Sequence, residues 1–213
     1  MSNRKQLVQE RAARVAAMRA EQARKDRRRK VTIFGSAAVV SLGLIAAVAV
    51  PLVNQVRQQQ EIEAAANAPI DGVAEFADLT SNHVEGTVEY TPFPPVGGDH
   101  NGVLQNCGIY TEPVTSENAV HSLEHGAVWI TYSPDLPADQ VALLQDAARG
   151  EAYALLSPHE GLDSPIVASA WGNQLRLDDA ADERLDVFLE RYMQGEQTPE
   201  PGAACFGGTG TPA

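Results

Sequence analysis

Five histidines are present in 213 residues, and two of them stand four apart with a glutamate between: His121, Glu124 and His125 form H-x-x-E-H. Spacing decides what such a motif can do. On a strand, residues four apart lie about 13 Å from each other and cannot share a ligand. On a helix, positions i and i+4 are neighbours on one face and i+3 sits beside them. The flanking residues suit a helix. Ser116 is a good N-cap, Glu117 to His125 can make two turns, and Gly126 can end them. A third histidine, His100, follows the glycine pair of PPVGGDH, a loop able to bring it within reach.

Three chemistries compete for these residues. The first is a transition metal, copper or zinc, bound by His100, His121 and His125, with Glu124 as fourth ligand or as the group that orients a histidine. The second is a metal-dependent hydrolase, since H-x-x-E-H is also the pattern in which the glutamate activates a zinc-bound water. The third is structural: imidazoles satisfied by carbonyls at a helix end, where positive charge suits the macrodipole. His83, in a polar lead-in segment, reads as exposed and outside the site, and His159 reads as a loop residue, with a distant ligand as the alternative. Trp129 and Trp171 fall in strand contexts and read as core. No Ser–His–Asp set can be named from spacing, and Gly97-Gly98 is too short to cradle a phosphate.

The elements that must position these groups are legible from punctuation and periodicity. Gly86–Tyr90 alternates as a short strand, and the prolines and glycines between Pro92 and Gly98 force an extended, turning loop. Ala127–Tyr132 reads as a buried strand. A helix is expected from Ala138 to Arg149, stopped by Gly150. Tyr153–Ser157 is a further strand, and Ile166–Leu177 a hairpin turning at Gly172-Asn173. The last helix, Asp182–Met193, carries Leu185, Phe188, Leu189 and Tyr192 on one face. Together these predict a compact α+β domain over residues 81–206, followed by a loose glycine-rich tail, 207–213.

The rest of the chain is of a different kind. Residues 1–30 contain 11 Lys and Arg against three acidic residues, while the remainder holds five basic and 25 acidic side chains. Residues 3–30 lack Gly and Pro and read as a solvated basic helix. Val31 to Val53 carries no charge, and at 1.5 Å per residue its 23 residues are long enough to cross the roughly 30 Å core of a bilayer. A polar stalk, 54–80, extends that helix until Pro69 stops it. The basic leader places the N-terminus in the cytoplasm and the acidic domain outside the cell membrane, in a single-pass topology. The implied partners are the lipid bilayer and other membrane proteins. An acidic outer domain argues against nucleic acid. Cys107 and Cys205 both fall in the outer part, and an even count in an oxidising compartment suggests one disulfide.

From about Thr87 to Pro212 the sequence resembles the family catalogued as domain of unknown function 3105. The resemblance rests on Tyr90, Pro94-Pro95, Gly97-Gly98, His100, Cys107–Tyr110, His121–Gly126, Ser169–Trp171 and Pro201–Ala203. One departure stands out: the family pattern has an aromatic residue where this chain has Leu104. The resemblance implies a membrane-anchored protein of unassigned activity. The residues themselves suggest a binding or accessory module rather than an enzyme.

Overall fold

In the computed structural model, backbone is described for residues 2–213 and side chains for residues 14–31, 47 and 49–213. The chain divides into two units, Met1–Gln58 and Gln59–Ala213. Helix α1 runs Ser2–Ala66, with Pro51 inside it, and ends three residues before Pro69. Most of the predicted membrane span, residues 31–53, falls on side chains outside the described residues. Among the described residues no helix is long and apolar enough to cross a membrane.

The second unit is an α+β domain built on a six-stranded mixed sheet. Its elements are β1 (Val73–Glu75), β2 (Gly108–Ile109), α2 (Ser116–Glu124), β3 (Val128–Tyr132), α3 (Ala138–Ala148), β4 (Ala154–Pro158), β5 (Ile166–Ala170), β6 (Asn173–Leu177) and α4 (Arg184–Tyr192). The strand order is β1-β6-β5-β3-β4-β2. β3 and β4 are parallel, joined by the crossover helix α3, and β2 runs parallel to β4 on its other side. β5 and β6 form the expected hairpin, and β5 pairs antiparallel with β3.

Every residue of β3, β4 and β5 is buried, so both faces of the sheet are covered. Alternation along the strands assigns the two faces. Val128, Ile130, Leu156, Ile166 and Leu175 meet Leu144 of α3 and Leu185, Phe188, Leu189 and Tyr192 of α4 in the larger core. Trp129 and Leu155 point the other way and meet Ala119 and Leu123 of α2. α2 is therefore clamped to the sheet by Ala119 and Leu123, which leaves its remaining face to present the motif.

Three expectations need correction. Residues 86–90 form no strand; Val88 donates its N–H to the Glu117 carboxylate at 2.9 Å instead, so the alternating segment is tied to α2 rather than to the sheet. The segment read as stalk supplies the edge strand β1, which pairs with β6 at Val73–Leu175. The glycine-rich tail is held: Thr209 donates to Leu104 and Ala213 to Ile109, at 2.9 and 2.8 Å. A disulfide between Cys107 and Cys205 anchors the start of that tail.

Candidate metal centre

α2 begins at Ser116 with Thr115, one residue earlier than expected, in the N-cap position, and His125 is its C-cap. His121 and Glu124 thus sit in the last turn, three apart, on one face. Gly126 ends the helix at φ +92°, a left-handed conformation in which a β-carbon would collide with Gln194 and crowd Thr198.

His100 arrives from the glycine-rich loop and is fully buried. The loop lies along α2: Asn101 donates to the Glu117 carbonyl at 3.2 Å, and Gln105 to that of Asn118 at 2.9 Å. Gly97, at φ +147°, lies so close to Trp171 that a β-carbon would sit 3.2 Å from its ring. His100 in turn meets the Trp171 indole edge-on, with centroids 6.1 Å apart.

His83 belongs to the same cluster, against the sequence reading. It forms a parallel bridge with His100: His100 donates to the Asn82 carbonyl at 3.0 Å and Val84 to that of His100 at 2.8 Å. Its side chain keeps 54% of its surface exposed, yet its Nε2 lies 3.8 Å from the Glu124 carboxylate. Nothing periodic around His83 announces this, because a single long-range bridge places it. His159 stays apart, buried against Trp129 and Phe93.

Ligand atoms of His83, His100, His121 and Glu124 all lie within 4.8 Å of one another. His125 stands at the edge of this set, its Nε2 3.1 Å from that of His121. The tautomers follow from the other ring nitrogens. Nδ1 of His100 meets the Gly98 carbonyl at 2.8 Å, Nδ1 of His121 that of Asn101 at 2.8 Å, and Nδ1 of His125 that of Ala204 at 2.7 Å. A carbonyl only accepts, so each Nδ1 carries the hydrogen, and in the neutral ring Nε2 presents a lone pair. All three lone pairs therefore belong to the nitrogens that face the cluster. Burial depresses the His121 pKa, with the neighbouring His125, His100 and His83 adding to the effect against the opposing Asn101 hydrogen bond. The His121 ring is held neutral, the form that binds a metal.

Two atoms stand out electrostatically. His100 Nε2 and Glu124 Oε2 are buried and, among the described residues, complete no hydrogen bond, although they lie 3.0 Å apart. The contact has ion-pair distance without hydrogen-bond geometry. A buried acceptor left in this state costs about 1–3 kcal/mol, and more when charged. A cation placed among the nitrogens and the carboxylate removes that penalty. Ligand atoms around a tetrahedral zinc at bond lengths of 2.0–2.1 Å stand about 3.3 Å apart, close to the His100–Glu124 and His121–His125 separations. The donor set is three imidazoles and a carboxylate, without thiolate, since both cysteines are oxidised.

A mixed six-stranded α+β domain with a buried His/Glu cluster on its α2 side is what sequence comparison then delimits. Residues 83–207 match the family described as "Protein of unknown function (DUF3105)", more than half of the chain, and the protein belongs to that family. Residues 9–68, less than a third of the chain, match the family described as "Inhibitor of host cell division protein domain". No curated protein and no solved structure matches the chain.

Proposed function

We propose that this protein is a membrane-anchored, extracytoplasmic metal-binding module, holding one copper or zinc ion through His83, His100, His121 and Glu124, with His125 at the rim. The buried, unpartnered pair of His100 Nε2 and Glu124 Oε2 carries this reading. A purely structural histidine cluster would be expected to satisfy those atoms, whereas a metal site leaves them free for the ion. Imidazole and carboxylate donors suit Zn²⁺ and Cu²⁺. Glu124 is buried with its oxygen among the imidazole nitrogens, which favours a ligand's role over that of a base acting on water.

The uncharged stretch 31–53 and its basic leader support the anchor, and the disulfide suits an oxidising compartment. The test is metal analysis of the full-length chain purified in detergent, after chelation and reloading with Zn²⁺ or Cu²⁺. One equivalent per chain, held at least tenfold more weakly in His100→Gln, is the expected result. No stoichiometric uptake of either ion overturns the proposal.

A further inference from the structure

The cluster continues past its buried donors toward solvent, and it does so through a second set that shares one residue with the first. His125 Nε2 lies 3.1 Å from His121 Nε2 on one side and 3.4 Å from the Glu200 carboxylate on the other. Exposure rises along this line. His100 is fully buried, the His125 side chain is 11% exposed, and that of Glu200 is 55% exposed, while of the resident donors His83 alone is open to solvent, at 54%. Glu200 is held in place by its own backbone, whose N–H donates to the Glu124 carbonyl at 3.1 Å. The same C-terminal segment sets the His125 ring through the Ala204 carbonyl.

We infer that His125 and Glu200 form a port through which the ion reaches and leaves the site. This rests on the metal-binding reading above. An ion arriving with its hydration shell meets Glu200 first, a carboxylate that attracts it and exchanges for water at the surface. His125 and His121 then supply two imidazole lone pairs at ligand spacing. His121 also belongs to the buried set, so the ion passes from Glu200 and His125 to His100, Glu124 and His83 while remaining bound to His121. The ion gives up two donors, Glu200 and His125, and gains three, His100, Glu124 and His83, with no redox change and no bare ion crossing an apolar gap.

A port donor and a resident ligand differ in kinetics. Losing a resident ligand weakens equilibrium binding. Losing a port donor slows loading and release together and leaves the dissociation constant nearly unchanged. The experiment uses the full-length chain and Zn²⁺, or Cu²⁺ if that ion alone binds. Loading is followed by stopped flow, and release by transfer to a chromogenic chelator. Glu200→Gln and His125→Gln should each slow both steps by about tenfold, with the dissociation constant shifted less than threefold, whereas His100→Gln should weaken binding by tenfold or more. Glu200→Gln retains the backbone bond to Glu124, so its effect is separable from any disturbance of the segment. Rates within threefold of the unaltered chain in both variants overturn the port. Faster release with matching loss of affinity overturns it too, because His125 would then be an ordinary ligand. Failure of the unaltered chain to bind either ion overturns the metal reading itself, and the port with it.

Discussion

The imidazole of His83 lies almost flat against that of His121, with ring centroids 4.7 Å apart and planes inclined by 27°. Half-exposed and held by a backbone bridge to His100, His83 closes the cluster from the solvent side without being part of the packed interior. His83→Ala should therefore weaken metal binding by about tenfold while leaving the melting temperature of the metal-free protein unchanged within a degree or two. Competition with a chelator of known affinity and a thermal melt measure the two quantities. Unchanged affinity would return His83 to the role of a bystander.

Acid should act on the metal-free fold through His121. Burial lowers its pKa below the ordinary 6.5, so the unfolded chain binds a proton before the folded one does. Stability then falls as pH drops below about 6.5 and levels off once the folded ring also protonates. Urea unfolding of the chelated protein between pH 7.5 and 5 should show this decline. The slope should be smaller in His121→Gln; an equal slope would assign the effect to other groups.

Gly126→Ala tests the helix end that carries the motif. The residue sits at φ +92°, and its new methyl group would meet Gln194, which donates to the His125 carbonyl. A loss of more than about 1 kcal/mol is expected in chemical denaturation. Loading and release of the ion should slow as well, with the dissociation constant nearly unchanged, since the same turn sets the direction of His125.

Breaking the disulfide should be costly. Cys107 and Cys205 are 98 residues apart in sequence, a separation at which chain-entropy models give about 4–5 kcal/mol and measured losses run about 2–5 kcal/mol. Denaturation of Cys205→Ser checks the magnitude. Non-reducing peptide mapping of protein from its native compartment checks the bond.

Orientation has its own test. Protease added to intact spheroplasts should digest the acidic domain and spare a small N-terminal fragment containing the basic leader. Full protection of the domain would reverse the topology or place the protein elsewhere.

The helices and central strands were legible because their signals are local. Leu185, Phe188, Leu189 and Tyr192 repeat at helical spacing, and all four are buried on α4. The H-x-x-E-H spacing likewise put His121 and Glu124 on one short helix, with His125 as its C-cap. What escaped was long-range. β1 is three residues long and β2 two, too brief for alternation to register. His83 reaches the site through a bridge to a residue 17 positions later. Residues 86–90 do alternate, but their register is spent on Glu117 rather than on a neighbouring strand.

The hydrogen-bond acceptor of His125 comes from Ala204, 79 residues further along the chain. A polypeptide made from its N-terminus has residues 116–125 outside the ribosome well before that carbonyl has been made. Through this interval His125 has neither a fixed tautomer nor a fixed direction, and Glu200 has yet to arrive beside it. Capture of the proposed ion through that side would therefore wait until the segment around residue 204 has been made and Cys205 has found Cys107. On the metal-binding proposal, the order of synthesis makes acquisition of the ion through this side a late event in maturation.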